Sequence, residues 1–333
     1  MSNVILNNDS NLFWSAVLVL VVSAIIIMCT TFKYANGEDI KQKSYASPEE
    51  AVNALISAAK SGNKDELLTI LGPESEEIIS SGDEVADKAA REQFLSGYEE
   101  KNELEKEGPD KVVLSVGQDN WPLPIPIVKK DGMWVFDTEA GKEELLNRRI
   151  GRNELNTIEV MHAFVDAERE YASKDRNGDG ATEFAQTIIS TDGNKDGLYW
   201  EAKDGAEESP FGPLIAEAAK GGYKYPEKKT QNVQPSPYHG YFFKILKGQG
   251  PNAPGGQYDY VVNGKMILGY GLLAYPASYG SSGIMTFIIN QDDVVYQKDL
   301  GEDTAKIAES ITTYDPDKTW TKVDETEKVP ETP

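Results

Sequence analysis

A chain of 333 residues holds 55 acidic against 33 basic side chains, for a net charge of −22, and a single cysteine. That length is enough for two domains of roughly 100 to 200 residues each. The field repels phosphate backbones and anionic headgroups, which argues against nucleic acid as a partner, and it draws divalent cations.

The first element is the run over residues 12–32, LFWSAVLVLVVSAIIIMCTTF, which carries no charge. At 1.5 Å per residue it spans roughly 30 Å of hydrocarbon, and it lacks the polar stripe of a buried core helix. It predicts a transmembrane helix or uncleaved signal anchor. No small-x-small pair follows it cleanly, and Ile26-Ile27-Met28 before Cys29 is a poor lipobox. Lys33, Lys41 and Lys43 follow the span, interleaved with Glu38 and Asp39, a small positive-inside bias toward a cytoplasmic body. With Cys29 inside the span, the rest of the chain needs no disulfide and is indifferent to redox compartment.

After a polar linker, a helix is expected from Ser47, a capping residue followed by Pro48, Glu49 and Glu50 in the first turn. Val52, Leu55, Ile56 and Ala59 recur at helical spacing, and Gly62 ends it. More helix follows through DEVADKAAREQFLSGYEE, and then the period changes to strands in KVVLSVG, PLPIPIVKK and MWVFDTE, with an Asp-Gly hairpin turn at Asp131-Gly132. Helices first and antiparallel strands afterwards predict an α+β domain. A long helix is expected from about Asn153 to Ala172, burying Leu155, Ile158, Met161, Phe164 and Val165. Beyond it come a short helix around Pro213 to Lys220 and a Pro-rich connector, YPEKKTQNVQPSP. Strands follow in GYFFKILKG, YDYVVNGKMILGYGLLAYP, GIMTFIINQ and VVYQKDL, with turn signals at Asn263-Gly264 and Asp292-Asp293. The organisation expected is therefore an anchor and linker over 1–43, an α+β domain over 44–150, a helix, acidic loop and mainly antiparallel sheet over 151–314, and an acidic tail over 315–333 that lacks an apolar period.

Between the long helix and the second sheet, DRNGDGATEFAQTIISTDGNKDG spells D-x-N-x-D-G twice. A calcium loop of the EF type takes ligands from positions 1, 3 and 5, a carbonyl at 7, often water through 9 and a bidentate acid at 12, with Gly at 6. The first copy offers Asp175, Asn177, Asp179, the carbonyl of Ala181 and Glu183, with Gly180 in place, but position 12 is Gln186. It reads as a weak calcium loop of the kind that suits extracytoplasmic calcium, against the competing reading of a Gly-rich loop closed by Asx turns. The second copy, with Asp192, Asn194, Asp196 and Gly197, places Trp200 at position 9 and Lys203 at position 12, and reads as a turn.

The strings LPIPIVKKDGMWVFDTEAG, RRIGRNEL, PYHGYFFKILKGQGPNAPGG, YDYVVNGKM and YPASYGSSGIMTFIINQDDVVYQKDLG resemble a bacterial envelope family, domain-of-unknown-function family 2950, over nearly all of residues 44–310. The resemblance implies an exported or membrane-attached protein with no established reaction. It thereby sets the body on the extracytoplasmic side, against the lysine bias. The first α+β segment is also similar to cystatin-like or nuclear-transport-factor-like units, and YGSSGIMTFIINQDDVVYQ to the last sheet of type IV pilin heads; analogies of fold license no activity.

No other motif assembles a reaction centre. Glu159-x-x-His162, with Asp166 and Glu170 on the same face, is half of a di-iron pattern whose second half is missing, and a solvated helix face explains it better. Ser57-x-x-Lys60 lacks the companion strings of penicillin-recognising enzymes. GQGPNAPGG carries too many prolines to present amides to phosphate, which argues against nucleotide binding. Trp121, Trp134 and Trp200 with the tyrosines are either core or a glycan or peptide groove. The sequence therefore predicts a membrane-anchored, non-enzymatic binding or structural module with an envelope protein or glycan as partner. The alternative is an envelope hydrolase using scattered acids such as Glu168 and Glu170 with His239.

Overall fold

A computed structural model describes residues 41–176, 178, 180–202, 207–223 and 236–324. The expected membrane segment over 12–32 lies outside those residues, as do Asn177, Asp179, Lys203, most of the connector 225–237 and the end of the acidic tail. Among the described residues, no helix is long and apolar enough to cross a membrane.

The chain is an α+β protein with antiparallel sheets, as the order of periods predicts. Helix α1 (Pro48–Ser61) starts where Ser47 accepts the Glu50 amide at 3.2 Å and ends at Gly62, whose φ of 67° suits the left-handed C-cap. Val52, Leu55 and Ile56 are buried, each side chain contributing on the order of 1.5 to 3 kcal/mol by leaving water. Helices α2 (Lys64–Leu71), α3 (Glu76–Ile79) and α4 (Glu84–Glu100) follow. The first sheet runs β1 (Asn102–Lys106), β2 (Lys111–Val116), β4 (Ile127–Lys130), β5 (Met133–Phe136), with the short β3 (Trp121–Pro122) also on β2. In the β4–β5 hairpin, Lys130 pairs with Met133 around Asp131 and Gly132, both at positive φ, the two-residue turn that the Asp-Gly dipeptide favours. Leu114, Ile125, Ile127 and Phe136 close the core against α1 and α2.

The long helix differs from expectation in its start. Helix α5 (Thr138–Tyr171) has 34 residues and begins fifteen positions before Asn153, so residue 150 lies inside it. Gly141 and Gly151 and the charged run KEELLNRR mask the apolar period there. Gly141 is required, because a Cβ at that position would stand 2.2 Å from the Pro124 carbonyl oxygen. Met161, Phe164 and Val165 are buried as predicted, while Leu155 and Ile158 are only partly so, and Glu168 joins the buried stripe.

After α6 (Gly212–Lys220) the chain enters a second sheet, ordered β14-β13-β12-β11-β6: β6 (Tyr241–Leu246), β11 (Gly271–Pro276), β12 (Met285–Asn290), β13 (Tyr296–Asp299) and β14 (Thr321–Lys322), all antiparallel. Leu272, Ala274, Phe287 and Ile289 face α5, whereas Leu246, Leu273 and Ile288 face α7 (Thr304–Ser310) and Tyr314. Burial on both faces explains why these strands read as continuous apolar runs. The tail is ordered into the sheet further than its composition suggests, since β14 pairs with β13. Short hairpins complete the fold: β7 (Gly248–Gln249) pairs with β8 (Tyr258–Asp259), and the hairpin between β9 (Val261–Val262) and β10 (Lys265–Met266) turns at Asn263-Gly264, again at positive φ.

The two sheets are joined by a polar seam. Asp83, 1% exposed, caps α4 by accepting the Val85 and Ala86 amides at 3.1 and 3.0 Å on one oxygen. Its other oxygen accepts the Tyr223 hydroxyl at 2.8 Å and the Gly240 amide at 2.9 Å from the second half. Arg149 of α5 donates to the carbonyls of Glu77, at 2.6 Å, and Ile78 and reaches the Ser281 hydroxyl at 3.4 Å, while Asn153 donates to the Ser282 carbonyl at 2.8 Å. Asp83→Ala strands four donors in a buried seam and is expected to lower stability by about 3 kcal/mol. Urea unfolding of the variant checks this; a loss under about 1 kcal/mol would remove Asp83 from its place as the principal fastener.

Candidate functional site in the acidic double loop

The first D-x-N-x-D-G string follows the C-terminal end of α5, where Tyr171 donates its hydroxyl to the Lys195 carbonyl of the second string at 2.6 Å and so ties the helix end to it. In the first, Asp175 Oδ1 accepts the Gly178 amide at 2.7 Å and Oδ2 the Gly180 amide at 2.8 Å. Gly178 and Gly180 sit at φ of 76° and 88°, which a side chain would strain. The carboxylate thus shapes the loop by accepting one glycine amide on each oxygen.

A cation holds the loop from behind. The Arg176 side chain, 3% exposed, lies between the rings of Tyr171 and Trp200 at 5.8 and 5.5 Å. It donates to the carbonyls of Tyr171 and Glu170 at 3.2 and 3.0 Å and to Glu207 at 2.7 Å. Glu207 also receives Lys174 at 2.7 Å and Lys195 at 2.9 Å, and these lysines, with Arg176 beside them, hold its carboxyl down at about 2.

Gln186, at the position where an EF loop presents its bidentate acid, is committed elsewhere. Its amide nitrogen donates to the Gly264 carbonyl at 2.7 Å and its oxygen accepts Lys247 at 3.1 Å. Of the expected ligand set, Asp175, Ala181 and Glu183 are described, while Asn177 and Asp179 lie outside the described residues. In the second loop Asp196 accepts the amide and the hydroxyl of Thr191, both at 2.7 Å, and Asn194 donates to the same hydroxyl at 2.8 Å. Gly197 presses on Ile189 and Ser190, where a Cβ would meet backbone at 2.8 Å. Those polar groups close a turn.

Beneath the loops lies Glu168, wholly buried. Its Oε2 accepts the Ala185 amide at 2.8 Å, its Oε1 has no hydrogen-bond partner among the described residues, and burial pushes its carboxyl well above the ordinary range against the smaller pull of that amide. Position 168 falls on the same helical stripe as Phe164, Val165 and Tyr171, which is the one signal in the sequence that marks it for burial.

The remaining candidates are dispersed. His162 Nδ1 lies 2.7 Å from Asp293 Oδ1, the carboxylate that a solvated helix face calls for, while Glu159, Asp166 and Glu170 are exposed. Among the described residues, no group of three His, Cys, Asp or Glu side chains could hold a metal ion. His239 sits at φ of 50° and donates its amide to the Tyr223 hydroxyl at 3.2 Å, with the Tyr238 ring 4.1 Å from its own. Burial lowers its pKa, opposed by Asp83, Glu217 and Glu159. Glu159 is the α5 carboxylate whose charge acts on His239, and Glu168 lies nine residues, about 13 Å, further along the axis. Ser57 and Lys60 are exposed on α1, with Lys60 paired to Glu99 at 2.8 Å. In GQGPNAPGG the Gln249 amide closes the loop on the Pro254 and Gly256 carbonyls at 2.6 and 2.7 Å.

A family model described as "Protein of unknown function (DUF2950)" matches residues 42–323, and neither a curated protein nor a solved structure matches the chain.

Because the folded state keeps Glu168 protonated where the unfolded chain has lost that proton, stability falls as pH rises above about 4.5 toward the folded pKa. Glu168→Gln removes this term, so its melting temperature should gain on the parent as pH goes from 4 to 8. Melting curves that stay parallel across that range would show that the carboxyl does not titrate with unfolding.

Proposed function

We propose, from the premise that the chain belongs to the DUF2950 family of proteins of unknown function, that it is a non-enzymatic binding or structural module of the bacterial envelope. Residues 12–32 anchor it in the cytoplasmic membrane, and the acidic body stands on the extracytoplasmic side, as the uncharged run and the family resemblance suggest. The envelope partner is a protein or a glycan. Fold likeness to cystatin-like units or pilin heads adds no activity to this reading.

The first acidic loop is assigned weak calcium binding through Asp175, Asn177, Asp179, the Ala181 carbonyl and Glu183. The observation that carries this assignment is the preset loop, in which Asp175 already gathers two glycine amides and Arg176 is locked against Glu207. Gln186, turned to Gly264 and Lys247, supplies no twelfth-position carboxylate, so the dissociation constant falls in the range of about 10⁻⁴ to 10⁻³ M typical of extracellular modules. Calcium there stiffens the end of α5 and the turn tied to it. The reading as a module rather than a hydrolase is supported by the separate engagements of the candidates: Glu168 is buried on the Ala185 amide, His162 meets Asp293, His239 lies in the turn beside Tyr223, and Glu170 and Ser57 are exposed.

With a dissociation constant of about 1 mM, roughly 10 mM calcium stabilises the folded protein by about 1.4 kcal/mol. A rise of a few degrees in melting temperature is expected, lost in Asp175→Ala with Asp179→Ala. An equal rise in the double variant would exclude the loop. The address is checked separately by protease added to intact cells and to cells whose outer barrier is opened: digestion of the body without breaching the cytoplasmic membrane is expected, and full protection would place it in the cytosol.

A further inference from the structure

Strand β6 ends the second sheet and is paired on one side only, with β11. In an antiparallel pair the N–H and C=O of alternate residues meet the partner strand, and those of the residues between point away from it. Pro276, which has no N–H, stands opposite Tyr241, and Tyr241 exchanges its own two groups with Tyr238 instead, at 2.8 and 3.1 Å. The outward residues are therefore Tyr241, Phe243 and Ile245, followed past the strand by Lys247, whose carbonyl accepts the Tyr260 amide at 2.9 Å. Between these two covered ends, the N–H and C=O groups of Phe243 and Ile245 have no hydrogen-bond partner among the described residues.

A groove of about 360 Å³ adjoins that open edge, lined by Phe243, Ile245, Ile188 and Ile189 with Gln186 and Thr187. Its walls are fixed without any ligand. From the opposite face of β6, Lys244 donates to the Glu309 and Ile311 carbonyls at 2.8 and 2.7 Å, and Gln186 is held by Gly264 and Lys247. Sheet edges are ordinarily covered or charged, whereas the outward residues of this one are apolar. Alternate residues of a strand lie about 6.8 Å apart, and a polypeptide backbone is the partner that repeats donor and acceptor at that spacing. A second copy of the chain does not fit. In a two-fold pair centred on Lys244, the partner's Tyr241 falls opposite Lys247, where Tyr260 already occupies the edge, and each copy carries a net charge of −22.

We infer that β6 takes up a short extended segment of another polypeptide as a sixth strand of this sheet. Residues directly opposite one another project to the same face, so the two that pair with Phe243 and Ile245 send their side chains into the groove and are apolar. The residue between them faces the other way. Only about three residues lie in the opening before Tyr238 and Tyr260 turn the segment aside, and basic residues on its flanks complement the acidic body. This inference rests on the reading as a binding module and narrows its partner to a polypeptide.

The test titrates the full-length protein into fluorescein-labelled Lys-Lys-Val-Thr-Val-Lys-Lys in about 0.15 M salt, where long-range attraction is screened, and follows anisotropy. Saturable binding is expected. Methylating both valine amides removes two donors and keeps the charge, and should weaken binding by about tenfold; methylating the threonine amide, which points away, should change it by less than about threefold. Ile245→Pro, a residue type that sheet edges accept where the N–H faces outward, should bind about tenfold more weakly, with a melting curve confirming its fold. The two methylated peptides decide the question without any variant. Equal binding of those two, no saturation, unchanged binding by folded Ile245→Pro, or displacement of the peptide by chitohexaose would each overturn the strand pairing. Mass spectra of the peptide after incubation separate this inference from the reading it rests on: a cleaved peptide overturns the non-enzymatic module, and an intact peptide that does not bind overturns the pairing alone.

Discussion

The fold depends on one buried carboxylate being fully bonded. A charge removed from water is tolerable only when donors replace the hydration it loses, and Asp83 meets that demand by drawing two donors from the start of α4 and two from the second half of the chain. The demand fixes the neighbours in turn. Gly240 must be glycine, since its φ is 77° and a Cβ would stand 2.6 Å from the Asn153 amide nitrogen. Asn153 is committed to the Ser282 carbonyl, and Glu154 beside it accepts the Ile284 and Met285 amides, both at 2.9 Å. The seam is thus a chain of satisfied polar groups rather than an apolar interface, and it gives the two sheets one relative placement.

A second constraint operates at the far end of α5. The acidic double loop would repel itself without counterions, and Lys174, Arg176 and Lys195 meet on the single carboxylate of Glu207. Arg176 is the member with structural consequence, because its guanidinium is buried between two aromatic rings and bonds the Tyr171 and Glu170 carbonyls at the end of the helix. Glu168, by contrast, has an amide and no cation, and keeps its proton instead. Two carboxyls in the same region are therefore driven in opposite directions by their surroundings.

Much of this was legible in the residues, and the parts that were not have physical reasons. Caps and turns are local chemistry, so Ser47, Gly62, Asp131-Gly132 and Asn263-Gly264 stand where their types predict. The start of α5 was hidden because its first turns pack through Gly141, whose missing side chain gives no periodic signal while permitting close approach to Pro124. Asp83 looks like any N-cap in sequence; its second role comes from Tyr223 and Gly240, about 140 and 157 positions away. The pairing of Arg176 with Glu207 is likewise a product of tertiary placement. In the loop itself, spacing identified Gln186 as the flaw, and the structure adds where its amide goes.

The unbroken course of α5 sets how the molecule comes apart. Its first turns are bonded to the early helices, through the Thr138 hydroxyl on the Leu71 carbonyl at 2.6 Å, and its last turns carry Phe164 and Val165 into the second core. A rod of 34 residues, about 51 Å long, is shared by both cores and lends neither an independent boundary. Heat should then dissolve both sheets in one cooperative event, and division of the chain near residue 150 cuts a rigid strut, leaving each fragment with an uncovered greasy stripe.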